Sequence, residues 1–398
     1  MGICTKRLGE HLKSARKTIS SFCAFLFWRC IMIDKRLEKL AYILVNHSLG
    51  IRKKDLFVIG GSHLTAPLIK EVYRQALECG ANPYVRIGID GIGEIFYKYA
   101  SNEQLKYVSP IAKFEIEKID ARLSIISPEN TRSMTNVDPK KQAISSAANQ
   151  EIHDIFLQRA SKKELRWCVT QYPTNASAQD AEMSLEEYED FIFKAANVDK
   201  KDPIAHWKNV FKEQEKIKKL LQSKKKLHVI AKGTDLKISV VGRKWINCYG
   251  KENFPDGEVF TGPIETSAEG FISYSFPASH GGRIIEDIQF WFKKGKVVKA
   301  KASKGEKFLQ SMLDMDKGAR GIGEFSFGTN YGIKKYTMNT LFDEKIGGTI
   351  HIAVGSGYPE TGSKNKSSLH WDMMCDLRKN GEVYADNELI YKNGKFLL

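Results

Sequence analysis

The rhythm of apolar and polar positions changes once along this chain, near residue 222. Before that point, helical spacing alternates with short apolar runs. Leu37, Leu40, Ala41, Leu44 and Val45 recur at helical spacing within Asp34–Ser48. "KKDLFVIGG" (53–61) reads as a buried strand, "LTAPLIKEVYRQALECG" (64–80) as a helix stopped by Gly80, and "NPYVRIGI" (82–89) as a second strand. Strand, helix, strand in that order predicts a parallel βαβ unit. Helical text over 94–117, a strand over 120–130, a helix in "NQEIHDIFLQRASK" and a strand over 164–174 extend the series. "SLEEYEDFIFKAAN" (184–197) is a helix with Ser184 as its cap and acids in its first turn, where the helix dipole favours them. A long charged helix over 204–226 reads as a bridge.

From Leu227 the alternation has period two. "LHVIAKGTDLKISVVGRKWINC" is a hairpin pattern with Gly-Thr-Asp at its turn, and "GEVFTGPIE", "GFISYSF", "IEDIQFWFKKGKVVKAKA" and "GTIHIAVG" continue it. Within this half, only about 304–317 reads as helix. The expected fold is an α/β N-terminal domain with a parallel sheet (32–222), followed by a β-rich α+β domain (223–398).

Composition narrows the class. Of the 398 residues, 42% are hydrophobic and 11% aromatic, enough for real cores. The formal charge of +15 can steer acidic partners. The lysines are scattered, however, and no aromatic-laced basic motif is present, so nucleic acid is not expected as a partner. Seven widely spaced cysteines without a CxxC pair argue against a disulfide framework and fit a reducing, cytoplasmic compartment. The first segment, 1–31, carries six basic residues against Glu10 and a short apolar run, Phe22–Ile33, broken by Arg29. That run is too short to span a bilayer, and Lys6 spoils a myristoylation motif. Met32 opens a clean helical pattern, so the reading is a start assigned too far upstream, with a membrane-touching amphipathic helix as the alternative.

The glycine-rich pieces do not make nucleotide motifs. "VIGGSHLTAP" lacks GK[ST], and "GIDGIGE" and "GARGIGE" do not complete GxGxxG. His-Trp-Asp (370–372) is more pointed. Residues i and i+2 of a strand face one side, so His370 and Asp372 can meet one ion with Trp371 behind them. His351 lies on the predicted strand Thr349–Val354, and Gly355-Ser356-Gly357 then delivers Tyr358. Glu258 follows a Pro-Asp-Gly turn, and Glu324 stands among glycines that screen it little. Each piece alone also reads as an ordinary strand histidine or a turn acid. Together, three carboxylates and two imidazoles can hold two divalent ions with one carboxylate bridging.

"NFPDGEVFTGPIETSAEG", "GARGIGEFSFGTN", "DEKIGGTIHIAVGSGYPETG" and "SLHWDMMCDLR" together resemble the aminopeptidase T / aminopeptidase S family of dinuclear metallopeptidases. "RWCVTQYPTNASAQDAEMSLEEYEDFIFKAANVD" resembles that family's N-terminal domain. The resemblance runs from about Met32 to Leu398 and leaves 1–31 outside. It implies that Glu258, Glu324, His351, His370 and Asp372 are metal ligands, with Glu324 bridging, and that Tyr358 stands beside the metals. It also implies removal of N-terminal amino acids from short peptides and a homodimer.

On that reading, Tyr358 would donate to the forming oxyanion, and Glu324 or Glu258 would carry a proton from water to the leaving amine. Glu344, Asp343 or Glu286 would receive the substrate amine, unless they are surface acids. Mixed nitrogen and oxygen ligands fit Zn, Co and Mn, with Mg less natural. Cys375 is expected on the opposite face of its strand from Asp372, in the core. A dinuclear hydrolase of another small amide and a non-catalytic metal-binding module are the competing functions.

Overall fold

The computed structural model describes residues 34–398, so the readings of segment 1–31 lie outside the described residues. Asp34 caps the helix Lys35–Ile43 by accepting from the Arg36 N–H at 2.8 Å, and the helix runs on through one wider turn, Leu44–Ser48. The strands Leu56–Ser62, Asn82–Gly88, Ala121–Ile126 and Arg166–Gln171 then form the expected parallel sheet. Asn82–Gly88 is its edge, and Leu56–Ser62 lies between it and Ala121–Ile126. A fifth strand comes from beyond the long helix: Asn253–Phe254 pairs in parallel with Val169 and Thr170. Phe254 is thereby buried in the first core with Phe57, Leu123, Cys168 and Trp207.

The helical text over 94–117 divides into three helices, Ile92–Tyr99, Asn102–Lys106 and Pro110–Lys118. Ser101 and Ser109 cap the second and third, and Pro110 opens the third. Pro139–Ala148, capped by Asp138, is a further helix, and none of its residues is buried. Ser184 and Glu187 exchange side-chain-to-backbone hydrogen bonds as a capping box, as the acids after Ser184 predict.

The second half contains an eight-stranded antiparallel sheet and a five-stranded one. In the smaller sheet the strand order is His370–Asp376, Thr349–Gly355, Ile322–Gly328, Glu258–Thr261, Ile246–Cys248. Alternation along these strands sorts their side chains. Val259, Phe325, Phe327, Ile350, Ile352, Trp371 and Met373 enter one core with Leu236, Ile272, Phe290 and Tyr391 of the larger sheet. Glu258, Glu324, His351, His370 and Asp372 have the opposite parity and fall on the other face. Cys375 is buried on the core side, as expected.

The helix Pro203–Gln222 joins the halves. Trp207 packs in the first core, and Ile217 and Leu221 in the second. Between them, buried Gln214 donates through Nε2 to the carbonyls of Cys248 at 2.8 Å and Glu258 at 3.0 Å, while its Oε1 accepts from Thr329 Oγ1 at 3.0 Å. Gln214→Ala strips these bonds from buried carbonyls and is expected to cost about 1–3 kcal/mol. A urea unfolding curve checks this; an unchanged midpoint would show that the carbonyls find other partners.

Candidate metal centre

Strand register brings the site together. Ser326 lies opposite His351, and Glu324, Ala353 and Asp372 form a row across three strands. A bulge between Ile322 and Glu324 re-aims Glu324 at the end of that row. Ala353 in the middle leaves the space between the two carboxylates unfilled. Gly323 serves the same end: a Cβ there would collide with the Ser356 carbonyl oxygen. Only glycine lets the Gly355–Gly357 turn close onto the Glu324 strand.

That turn fixes a histidine. His370 Nδ1 lies 2.8 Å from the Ser356 carbonyl oxygen, and His351 Nδ1 lies 3.0 Å from the Glu344 carbonyl oxygen. A carbonyl only accepts, so both Nδ1 atoms carry protons. In the neutral rings, both Nε2 atoms then offer lone pairs to the pocket, as metal-ligating histidines do. What they face are acceptors. His351 Nε2 is 3.3 Å from Glu258 Oε2, 3.3 Å from Glu324 Oε1 and 3.9 Å from Asp372 Oδ1. His370 Nε2 is 3.4 Å from both Glu324 Oε2 and Asp372 Oδ2. Buried Asp372 Oδ1 has no hydrogen-bond partner among the described residues. Lone pairs pointed at carboxylates in a buried pocket are reconciled by a cation between them.

The electrostatics agree. Burial opposes charge on His351, yet Glu324, Glu258 and Asp372 push it up to about 9. Burial likewise opposes charge on Glu324 and Asp372, yet the two histidines hold both carboxyls below their ordinary range. The imidazole nitrogens are thus strong binders of a positive charge. Two ligand triads are within reach of one ion each: Glu258, Glu324 and His351, and Glu324, His370 and Asp372. Glu324 belongs to both. The chemistry of the donor set fits a hard or borderline divalent ion such as Zn, Co or Mn.

The five ligand candidates and Tyr358 gather here. Tyr358 packs edge-on to His370 at 5.1 Å and to Phe260 at 5.2 Å between ring centroids, and is 42% exposed. Desolvation and the carboxylates of Glu324 and Asp372 keep its phenol protonated. Glu344 also belongs, within reach of His351 and Asp372. Asp343 and Glu286 do not. Asp343 is buried rather than a surface acid, and its carboxylate accepts from the N–H groups of Thr337 and Asn339, closing its own loop. Glu286 pairs with exposed Lys304 at 2.7 Å.

Sequence reading missed Lys345. It is fully buried, with Nζ 2.8 Å from Glu258 Oε1 and in contact with Glu344 Oε1. Burial opposes its charge, but Glu258, Glu344 and Asp256 hold it firmly protonated. The signal was available as "DEK", where an isolated lysine follows two acids just ahead of an apolar strand. Cys248, Asp256 and Glu258 also approach one another. Asp256 is occupied by the N–H groups of Gly250 and Gly257, each at 2.9 Å, and burial raises the Cys248 thiol well above its usual range, so this trio reads as structural.

Comparison with known proteins agrees with this geometry. Aminopeptidase AmpS of Bacillus subtilis (strain 168) is 28% identical over 91% of this chain and 98% of its own length. Aminopeptidase T of Thermus thermophilus is 29% identical over 69% of this chain and 73% of its own length. The solved structure of wild-type AmpT from Thermus thermophilus shares the fold, with a TM-score of 0.80 at 24% identity, over 92% of this chain and 99% of that one. The sequence pattern of the thermophilic metalloproteases (M29) matches residues 33–396, and the chain belongs to this peptidase M29 family.

Proposed function

We propose that this metal-dependent aminopeptidase releases N-terminal amino acids from short peptides with two divalent ions per subunit, Zn, Co or Mn. The observation that carries the dinuclear reading is the pair of Nδ1–H groups tied to carbonyls, which leaves two Nε2 lone pairs aimed at shared Glu324. Glu258 and His351 would hold one ion, His370 and Asp372 the other, and Glu324 both.

Bound ions of this kind act as Lewis acids, polarising a carbonyl and lowering the pKa of a water. The chain's residues do the rest. Tyr358, protonated and half-exposed beside His370, donates its hydroxyl to the oxygen of the scissile carbonyl as charge develops there. Glu324 or Glu258 carries a proton from water to the leaving amine: Glu324 turns one oxygen to each triad, while on Glu258 Lys345 contacts Oε1 and Ser326 Oγ donates to Oε2 at 2.9 Å. Lys345 is sealed from solvent and acts on Glu258 and Glu344, not on substrate.

A homodimer in the cytoplasm completes the proposal. Its surface is offered by the exposed apolar side chains Ile89, Ile111 and Phe114, next to the edge strand Asn82–Gly88, whose Tyr84 donates to Glu115 at 2.7 Å. Among the described residues, no helix is long and apolar enough to cross a membrane. Exposed charge on such a surface belongs to solvation and steering, not to a nucleic-acid site.

Three outcomes are expected. Chelator-stripped protein should recover two ions per subunit from added Zn, Co or Mn, with a rise in Tm, because metal binds the folded state; a stoichiometry of one would remove the bridging role of Glu324. Glu324→Ala should lower kcat by about a thousandfold or more, on the order of 4 kcal/mol, against aminoacyl chromophores with a free amine; equal turnover would sink the assignment. Tyr358→Phe should lower kcat by about a hundredfold with metal affinity unchanged, and an unaltered kcat would take the tyrosine out of the reaction.

A further inference from the structure

We infer that Glu344 is the anchor for the substrate's free α-ammonium group. This rests on the aminopeptidase reading and supplies what that reading lacks, a group that recognises the free amine.

Three observations carry it. First, Glu344 is the carboxylate left over. Glu258, Glu324, His351, His370 and Asp372 complete two ligand triads without it, while its own carboxylate comes within 4.8 Å of donor atoms on His351 and Asp372. A group placed there sits beside the ions without being needed to hold them. Second, Glu344 is the most open of the four carboxylates. Its side chain is 13% exposed, against 7% for Glu258, 5% for Glu324 and 9% for Asp372. Third, only one of its oxygens is used. Lys345 Nζ contacts Oε1, and Oε2 accepts no hydrogen bond from the described residues. Buried Lys345 therefore holds one oxygen of the carboxylate and leaves the other as an unpartnered acceptor.

The chemistry is that of a charge-assisted hydrogen bond. An ammonium has three donors and a full charge, and an unpartnered carboxylate oxygen in a largely desolvated pocket suits it. An N-acetylated substrate brings a neutral amide instead, with one donor and more bulk. Glu360 is the rival acid, on the turn after Tyr358. It is exposed and joins no cluster of site donors among the described residues.

The test uses full-length holoenzyme loaded with two ions per subunit. The ligands are the amino acid that the enzyme releases fastest and the des-amino analogue of that amino acid, titrated by calorimetry into wild type, Glu344→Gln and Glu360→Gln. The expected result is a loss of about 10- to 100-fold in affinity for the amino acid in Glu344→Gln alone, with the weaker binding of the des-amino analogue unchanged. KM for free-amine substrates should rise by a similar factor, and metal content should stay at two. Equal losses for both ligands, loss of an ion, or a selective loss in Glu360→Gln would each overturn the assignment. Where Glu344→Gln does not yield soluble protein, Glu344→Asp keeps the charge beside Lys345 and should weaken the amino acid selectively by a smaller factor; unchanged binding in that variant overturns the proposal too. Wild type that cleaves N-acetylated and free-amine substrates alike would instead overturn the aminopeptidase reading beneath it.

Discussion

Four carboxylates, Glu258, Glu324, Glu344 and Asp372, converge in one pocket with Lys345 and two histidines, His351 and His370, whose hold on a positive charge they strengthen. Like charges at these distances in a desolvated pocket repel strongly, and removing each from water adds a further penalty. Both histidines have spent their Nδ1 protons on backbone carbonyls. Each Nε2 therefore needs a proton or a bound cation between it and the carboxylates it faces, and a divalent cation brings two charges where a proton brings one. Lys345 shows how finely the balance is set. Its single charge is placed against Glu258 and Glu344, and it reaches Asp372 of the second triad only as a smaller influence behind the two histidines.

The sheet is what tolerates this concentration of charge. One face of each central strand is an uninterrupted apolar row, Phe325 and Phe327 beside Ile350 and Ile352, and the burial of those rows holds the register against slippage. A one-residue slip would exchange Glu324 for Phe325 at the pocket, so the hydrophobic side of the sheet specifies the polar side. Small residues finish the geometry. Ala353 leaves room between Glu324 and Asp372, and Gly323 admits the turn whose Ser356 carbonyl orients His370.

Much of this was legible because it is local. The period-two strands, the capped helix after Ser184, the parallel βαβ unit and the i, i+2 pairing of His370 with Asp372 all follow from neighbours in sequence. The gathering of Glu258, Glu324 and His351 with that pair came from the family resemblance. What escaped was set by register and long-range contact. The pairing of Asn253–Phe254 with the first sheet depends on a strand more than 80 residues earlier, and nothing in "NF" announces it. Pro139–Ala148 has helix propensity and a cap, but its apolar stripe is alanines around the single large side chain of Ile144, too small to mark it. Lys345 carried only the faint signal of "DEK", because lysine is ordinarily exposed and its burial is decided by Glu258, 87 positions away.

The two halves exchange support, and the exchange falls on the site. Phe254 of the second half fills the first core, only four residues before Glu258. In return, Tyr188, Phe191 and Ile192 of the first half pack against Leu341, Phe342 and Ile346, the segment that carries Glu344 and Lys345. Asn330 stitches the same seam, donating through Nδ2 to the carbonyls of Ala195 at 3.1 Å and Asp256 at 2.8 Å. The ligand sheet supplies Glu324, His351, His370 and Asp372 by its own register. The Glu344–Lys345 segment, by contrast, is held down by helices from the other half. The candidate ligands and the loop beside them thus rest on different supports: the first on alternation within one sheet, the second on packing between the two halves of the chain.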